Sequence, residues 1–194
     1  MKAEPVSLYW PSMPIQNPFR IVGAACRQTA ARVILIGGQA LGARGYQRVT
    51  LDVDFMITEQ DYGKLKPALE QKGYREAVRT DVAAKMRARS DDLIDIDFMF
   101  VDGSTFDGVQ KESAEEGFEE YKFWVPKPEH LIALKLHAIK QQPDLRELKD
   151  LNDIVELIRA NPIDVHSGDF QSLCLRFGTA AIYEKIIKAV RADG

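Results

Sequence analysis

Two carboxylates at alternate positions of an apolar segment are spaced so that they could bind a cation together. Asp52 and Asp54 lie within residues 48–57, RVTLDVDFMI. On a β-strand their side chains share one face about 6.6 Å apart, whereas Val53 and Phe55 point to the other face. Like charges at that separation repel by about 0.6 to 2.5 kcal/mol for an effective dielectric between about 80 and 20. A divalent cation between the two carboxylates turns this repulsion into a net attraction. Magnesium prefers oxygen ligands of this kind.

A glycine pair upstream complements the carboxylates. Residues 34–40 have the sequence ILIGGQA, an apolar run that breaks at Gly37 and Gly38. This pattern predicts a buried strand that turns sharply into a helix. Glycine lets a backbone approach a phosphate closely, and the free N–H groups of a helix start bind anions. The alternatives are a tight turn for the glycines and solvated or capping roles for the aspartates.

The order strand, glycine pair, helix and Asp-x-Asp strand resembles the DNA polymerase β-like nucleotidyltransferase superfamily. Residues 37–40, GGQA, and residues 48–54, RVTLDVD, are most similar to the small bacterial nucleotidyltransferases that include the AbiEii/AbiGii toxin group. The resemblance covers about residues 33–160. It implies two magnesium ions (Mg²⁺) on Asp52 and Asp54, an NTP as donor substrate, and transfer of a nucleotidyl group to an acceptor.

The same resemblance implies which residues bind the nucleotide. They are Gly37, Gly38, Gln39, Arg48 and Thr50. Relatives more often carry Ser, Thr or Tyr in place of Gln39, so the preferred NTP stays open. Arg48 and Thr50 share a face with Asp52 if the strand extends back to them, and Arg48 then either touches phosphate or pairs with an aspartate.

A later apolar segment supplies a candidate third carboxylate. Residues 93–101, LIDIDFMFV, predict a strand with Asp95 and Asp97 on one face. The superfamily has a third metal-binding carboxylate on a later strand. Asp97 fits the pattern of the relatives better, and Asp95 is the alternative third ligand.

Three cations alternate in the segment before that strand. Lys85, Arg87 and Arg89 share one face if residues 84–89 form a strand. They either neutralise the phosphates of a triphosphate or RNA, or form a solvated face. The formal net charge of −3 provides no global field that attracts nucleic acid, so an RNA acceptor requires a local basic patch.

Two C-terminal segments carry charges at helical spacing. Lys135 lies between apolar residues one turn to either side, and Asp150 and Asp153 share one face of the next predicted helix. One interpretation is a snorkelling lysine and exposed helical ion pairs, which contribute little. The AbiEii-like resemblance implies a catalytic role instead: Lys135 binds triphosphate, and Asp150 or Asp153 positions or deprotonates the acceptor hydroxyl.

The elements that must position these residues follow from periodicity, caps and glycines. We predict helices over about 18–31, 38–44, 59–72, 128–141, 143–160 and 179–192. Strands are expected over 32–36, 51–57, 74–78, 84–89, 93–101 and 121–125. The last is expected at a sheet edge, after a polar, mobile stretch over 102–120 to which we assign no helix or strand. In the helix over 143–160, the expected buried stripe is Leu148, Leu151, Ile154, Val155 and Ile158.

These elements predict a fold of the α+β class, a mixed β-sheet of the nucleotidyltransferase type flanked by helices. We expect an extended N-terminal arm (1–17), a core (18–125) and a C-terminal helical part packed on the core (126–194). The composition, 45% hydrophobic and 28% charged, is typical of a globular protein. Cys26 and Cys174 match neither a metal spacing nor a disulfide framework, which favours a reducing cytoplasm. No run approaches the ~20 apolar residues of a membrane span.

The sequence therefore predicts a metal-dependent nucleotidyltransferase that moves an NMP from an NTP to an acceptor hydroxyl. RNA such as tRNA, a protein hydroxyl and a small antibiotic-like alcohol all stay open as acceptors. The resemblance adds a role as the toxin of a toxin–antitoxin or phage-defence system, with a cognate antitoxin as partner. The alternatives are a catalytically silent protein of this fold that acts as an antitoxin or regulatory partner, and a kinase-like phosphotransfer on the same scaffold.

Overall fold

The structure, a computed structural model, describes residues 17–191. The helices in this range are Pro18–Thr29 (α1), Gly37–Ala43 (α2), Glu59–Gln71 (α3), Gly103–Lys111 (α4), Pro128–Gln141 (α5), Pro143–Ala160 (α6), Gly168–Phe177 (α7) and Ala180–Arg191 (α8). The strands are Ile34–Ile36 (β1), Asp52–Thr58 (β2), Tyr74–Arg79 (β3), Ala83–Ala88 (β4), Asp95–Val101 (β5), Ser113–Phe118 (β6) and Tyr121–Pro126 (β7). Apart from Asn17, the predicted N-terminal arm lies outside the described residues.

The seven strands form one sheet in the order β3-β4-β5-β2-β1-β7-β6. The β2–β5 and β1–β7 pairs are parallel, and the other neighbouring pairs are antiparallel. The sheet is therefore mixed, which confirms the predicted α+β fold class.

One face of this sheet is aromatic. Phe55 on β2 stacks with Phe98 on β5, with ring centroids 6.0 Å apart, and lies 5.5 Å from the ring of Phe123 on β7. Phe19 of α1 stacks on Phe118 at 4.5 Å, and Tyr62 of α3 meets the edge of Phe98 at 5.3 Å. Because side chains alternate along a strand, this core leaves the aspartates of β2 and β5 on the opposite face.

Local caps fix where two helices of this face begin. Asn17 accepts the backbone N–H of Phe19, and Pro18 occupies the first turn of α1, where its missing N–H costs nothing. Thr58 ends β2 and caps α3 by accepting the N–H of Asp61. The strand that carries the paired aspartates thus passes directly into the helix that covers its apolar side.

The prediction for residues 102–120 is wrong. This stretch forms α4 and β6, because Asp102 caps the helix through the N–H of Thr105 and Phe106 is fully buried. β6 pairs with β7 along its whole length, so β7 lies inside the sheet and the predicted edge position is also wrong. The α7 helix was likewise not expected.

The described chain divides into two compact units. The first comprises residues 17–43 and 49–126, and the second comprises residues 44–48 and 127–191. In the second unit, α5 packs on α6 and α7, and α8 packs on α6 and α7. The predicted domain boundaries after residues 17 and 125, and the predicted packing of the helical part on the core, stay predictions.

The buried face of α6 differs from the predicted stripe. Leu148 is 89% exposed, whereas Asp150 and Asp153 are 2% and 1% exposed and lie on the buried side with Ile154. At 3.6 residues per turn, Leu148 lies about 160° around the helix axis from Asp150, so the buried side of α6 that holds the two carboxylates excludes Leu148. None of the helices within residues 17–191 is both long and apolar enough for a membrane crossing.

We predict that Phe55→Ala lowers the free energy of unfolding by about 3–5 kcal/mol, because it leaves a cavity between two aromatic contacts. Urea denaturation followed by circular dichroism measures the change. Val78→Ala is the control, since Val78 is 45% exposed and a surface substitution changes stability by no more than about 0.5 kcal/mol. Equal midpoints for the two variants would contradict the assignment of Phe55 to the core.

Candidate functional site

The pairing of three adjacent strands places the charged residues of the first unit in register. In the parallel β2–β5 pair, Asp52 lies beside Asp95 and Asp54 lies beside Asp97. In the antiparallel β4–β5 pair, Lys85 lies beside Asp97. One face of the sheet therefore carries two columns of aspartates and, next to them, a column of cations.

Among the described residues, Asp52, Asp54 and Asp97 form a group of three carboxylates that could hold a metal ion. Each is partly buried, and each has a carboxylate oxygen within 4.8 Å of a carboxylate oxygen of the other two. At 4.8 Å, a pair of full charges repels by about 0.9 to 3.5 kcal/mol for an effective dielectric between about 80 and 20. We call these three residues the carboxylate cluster.

The two carboxylate oxygens of Asp97 have different surroundings. Oδ2 accepts a hydrogen bond from Lys85 Nζ at 2.7 Å. Oδ1 is buried without a hydrogen-bond partner, and Arg87 Nη1 lies 3.8 Å from it. A buried, unpartnered carboxylate oxygen is unfavourable unless a cation or donor reaches it.

Asp95 differs from Asp97 in that both of its oxygens have donors. Arg87 Nη1 donates to Oδ2 at 2.8 Å, and the backbone N–H of Ala88 donates to Oδ1 at 2.9 Å. Asp95 shares the sheet face with the carboxylate cluster but is held toward β4. Its geometry is that of a carboxylate already satisfied by protein donors.

The two glycines make room for the carboxylate side of β2. Gly37 has φ +64°, and a Cβ added there would lie 1.9 Å from Asp54 Oδ2. A Cβ on Gly38 would lie 2.9 Å from the Cβ of Thr50. The turn into α2 therefore requires glycine for two independent reasons at Gly37, the backbone conformation and the close approach of Asp54.

Three further predicted nucleotide-binding residues lie near this turn in the sequence. Gln39 is buried in α2. Thr50 Oγ1 donates to Asp52 Oδ1 at 2.8 Å, which orients one member of the carboxylate cluster. β2 begins only at Asp52, so Arg48 and Thr50 precede the strand and do not continue its alternation.

The second unit contains a buried network of four charged residues. Lys135 Nζ contacts Asp150 Oδ1 at 2.7 Å and Asp153 Oδ2 at 2.5 Å. Arg48 makes a two-pronged contact with Asp153, from Nε to Oδ1 at 2.9 Å and from Nη2 to Oδ2 at 3.2 Å. Two cations thus face two carboxylates. Asp150 Oδ2 is buried without a hydrogen-bond partner.

The segment 44–48 is attached to α6 at further points. Asn152 donates to the hydroxyl of Tyr46 at 3.0 Å, and Asn161 donates to the carbonyl oxygen of Arg44 at 2.9 Å. Together with the Arg48–Asp153 pair, these contacts hold the segment along the helix. The sequence offers no local signal for this attachment, because the partners are more than 100 residues apart.

Lys85 contacts the carboxylate cluster through Asp97, and the sequence did not predict this contact. A signal existed in the alternation of Lys85 and Arg87 with Asp95 and Asp97, but a sequence alone does not give the register of two strands. The cysteines take no part: burial raises the pKa of the Cys26 thiol and of the Cys174 thiol to about 12, which disfavours the nucleophilic thiolate.

Comparison with known proteins identifies relatives of this arrangement. A model of the family described as uncharacterised nucleotidyltransferase matches residues 19–191. No curated protein matches the sequence.

Several solved structures are similar to this chain. The antibiotic-resistance factor ANT(2'')-Ia with adenylyl-2''-tobramycin has a TM-score of 0.55 and 17% identity, over 90% of this chain and 95% of that one. The lincosamide antibiotic adenylyltransferase LnuA with lincomycin has a TM-score of 0.52 and 17% identity, over 71% and 92%. An antigenic nucleotidyltransferase-like protein from Paracoccidioides brasiliensis has a TM-score of 0.52 and 16% identity, over 89% and 91%. At these identities the likeness shows the fold alone.

We predict that Gly37→Ala lowers the free energy of unfolding by at least about 1–2 kcal/mol, the cost of a left-handed conformation for a residue with a Cβ. The contact with Asp54 adds to this cost. Gly63→Ala is the matched control, because Gly63 lies in α3 with nothing within 4 Å of an added Cβ. It should raise stability by about 0.5–1 kcal/mol. Urea denaturation of both variants checks the sign, and equal signs would refute the role of Gly37.

We predict that Lys135→Met lowers the free energy of unfolding by about 3–5 kcal/mol, because it leaves two buried carboxylates short of a cation. Lys185→Met is the control, since Lys185 is 49% exposed and pairs with Glu147, and such a surface pair contributes at most about 1 kcal/mol. Both midpoints come from urea denaturation. A Lys135 variant as stable as the control would show that the network is not needed for folding.

Proposed function

This chain belongs to the uncharacterised nucleotidyltransferase family, and on that premise we propose that it moves an NMP from an NTP to an acceptor hydroxyl in a magnesium-dependent reaction. The observation that carries this proposal is the convergence of Asp52, Asp54 and Asp97 within 4.8 Å beside the Gly37 turn. Mutually repelling carboxylates at such distances are unfavourable without a cation.

The donor set fits magnesium. Hard cations of this type prefer carboxylate oxygens and complete their coordination with water and substrate phosphates. Asp97 Oδ1 is buried without a hydrogen-bond partner, which supports Asp97 as the third ligand in preference to Asp95, whose oxygens both have protein donors. We propose that Asp52, Asp54 and Asp97 hold two Mg²⁺ ions. When bound, the ions supply charge that stabilises the attacking and leaving oxygens of an in-line displacement at phosphorus.

The remaining residues of the first unit position these ligands and the donor nucleotide. The hydroxyl of Thr50 orients Asp52, and the bare Cα of Gly37 admits the carboxylate of Asp54. We propose that the backbone N–H groups around Gly38 and Gln39 bind the donor's phosphates, for which the fold and the glycine requirement are the support. Catalysis then consists mainly of alignment and of stabilising charge that is already in place.

For Lys135, Asp150, Asp153 and Arg48, the proposed roles rest on the AbiEii-like resemblance. In that proposal, Lys135 and Arg48 bind phosphate, and Asp150 or Asp153 positions or deprotonates the acceptor hydroxyl. The buried Oδ2 of Asp150, which has no hydrogen-bond partner, supports a chemical role for that residue. The charge balance of the network supports a structural role for Lys135, Asp153 and Arg48.

The acceptor separates three versions of the proposal. In one version, the chain is the toxin of a toxin–antitoxin or phage-defence system and an antitoxin is its partner. The acceptor is then an RNA such as tRNA, or a protein. The AbiEii-like motifs support this version. A small hydroxylated molecule is the acceptor suggested by the antibiotic adenylyltransferases among the structural neighbours. Lys85 and Arg87 are engaged by aspartates, which weakens their assignment as a basic patch for RNA.

The rival proposal is a catalytically silent protein of this fold that works as an antitoxin or regulatory partner. A silent site has no physical reason to keep three carboxylates within 4.8 Å of one another. The retained cluster therefore favours the enzyme.

The transfer experiment uses each α-labelled NTP with magnesium and three acceptor pools: total RNA, a protein extract, and tobramycin with lincomycin. We predict label transfer to one pool by the native chain. The Asp52→Asn/Asp54→Asn double variant should lose at least about 10³-fold in rate, equivalent to ~4 kcal/mol of transition-state stabilisation. Asp92→Asn is the control, because Asp92 is exposed and hydrogen bonded to Ser90.

Each outcome of the transfer experiment favours one proposal over the others. Transfer that survives the double variant would remove the carboxylate cluster from the mechanism. Failure of the native chain both to transfer label and to bind nucleotide would favour the silent protein. The pool that receives the label identifies the acceptor class.

A further inference from the structure

We propose that Lys85 is a built-in counter-ion that competes with the divalent cation for Asp97 and thereby sets the metal affinity of the carboxylate cluster. This inference rests on the proposed metal-dependent function, which it deepens. It assigns a positioning residue on β4, a strand to which the sequence motifs assign no ligand.

The first support is the geometry of the pair. Lys85 and Asp97 are direct neighbours in the antiparallel β4–β5 register, and Nζ donates to Oδ2 at 2.7 Å. The lysine side chain is 42% exposed and that of Asp97 is 19% exposed. A partly exposed ammonium on a flexible four-carbon stem can leave the carboxylate without moving the backbone.

The second support is the division of cations between the two aspartates of β5. Arg87 is hydrogen bonded to Asp95 Oδ2 at 2.8 Å and reaches Asp97 Oδ1 only at 3.8 Å. Lys85, in contrast, is hydrogen bonded to a member of the carboxylate cluster. The arginine therefore hydrogen bonds to a carboxylate outside the cluster and reaches the cluster only as a longer ion pair, whereas the lysine hydrogen bonds to a carboxylate inside it.

The third support is electrostatic. Asp52, Asp54 and Asp97 carry three formal negative charges, with ligand oxygens within 4.8 Å of one another. An ammonium on Asp97 relieves part of that repulsion in the metal-free protein. The same ammonium repels a divalent cation in the cluster and occupies a carboxylate oxygen that the ion could use. Lys85 thus stabilises the empty cluster and weakens the loaded one.

Two consequences follow for a chain without this charge. The metal-free protein becomes less stable, because the Lys85 ammonium no longer relieves part of the repulsion among the three carboxylates. The divalent cation binds more tightly, because it no longer displaces or faces the ammonium. A lysine with only a packing role would show the loss of stability without the gain in affinity.

The experiment measures Mn²⁺ binding, with the free ion counted by electron paramagnetic resonance, and the rise in melting temperature at saturating Mn²⁺. Lys85→Met should lower the Mn²⁺ dissociation constant about tenfold, the size expected for removing a unit charge near a divalent ion. It should also give a larger Mn²⁺-induced rise in melting temperature than the native chain. Lys85→Arg should stay within about threefold of the native constant, because it keeps the charge.

Lys66→Met is the matched control. Lys66 is also partly buried, with its side chain 33% exposed, and its Nζ lies 3.0 Å from Glu76 Oε1 and 3.9 Å from Glu70 Oε1. Both partners lie outside the carboxylate cluster. This variant should leave the Mn²⁺ constant unchanged. If Lys85→Met does not fold, Lys85→Gln replaces it, because Gln keeps a hydrogen-bond donor but carries no charge. Lys85→Gln should bind Mn²⁺ as tightly as is expected for Lys85→Met.

Unchanged or weaker Mn²⁺ binding in Lys85→Met and Lys85→Gln would overturn the counter-ion role. The Asp52→Asn/Asp54→Asn variant separates this failure from failure of the proposed function. If that variant binds Mn²⁺ as the native chain does, the cluster is not the metal site and both proposals fall. If it loses Mn²⁺ while the Lys85 variants are unchanged, only the counter-ion inference falls.

Discussion

Electrostatic repulsion among carboxylates on one sheet face is the constraint on which the first unit's candidate site depends. Parallel pairing of β2 with β5 sets Asp52 beside Asp95 and Asp54 beside Asp97. Four formal negative charges then share a small area of sheet. The adjacent β4 strand compensates the β5 column with Lys85 and Arg87. Asp52, Asp54 and Asp97 lie within 4.8 Å of one another, and this closeness is the physical basis of the proposed divalent-cation site.

The opposite face of the same sheet supplies the rigidity that this arrangement needs. Phe55 and Phe98 alternate with the aspartates and stack on each other, while α1 and α3 cover them. A strand anchored by aromatic contacts on one side cannot easily rotate its carboxylates apart on the other. The Gly37 turn adds a second restraint, because the chain passes so close to Asp54 that any side chain would collide with it.

The second unit handles buried charge differently. Lys135 and Arg48 contact Asp150 and Asp153 at short distances. Balanced, hydrogen-bonded pairs need no external ion, and removing one member is costlier than the pair's net contribution. The two groups therefore differ in charge balance. In the second unit two cations contact two carboxylates, although Asp150 Oδ2 has no hydrogen-bond partner, whereas in the carboxylate cluster three carboxylates lie within 4.8 Å of one another.

Local rules explain what the sequence by itself determined about this protein. The alternation of side chains along a strand placed Asp52 with Asp54 and Asp95 with Asp97, and caps and prolines placed the starts of α1, α3, α5 and α6. The paired glycines predicted the turn from β1 into α2. Each of these inferences needs only neighbours within a few residues, where backbone geometry leaves few alternatives.

Only the tertiary structure decided which of these local groups meet. The register of β5 between β2 and β4 brings Lys85 onto Asp97, and the attachment of residues 44–48 to α6 brings Arg48 onto Asp153. The segment that was expected to be irregular became α4 and β6, because Phe106 found a buried site and β7 offered an edge to pair with. Leu148 lies on the exposed side of α6, whereas Asp150 and Asp153 on its buried side contact Lys135 and Arg48. Such outcomes depend on contacts between distant residues, whose free energies no local pattern contains.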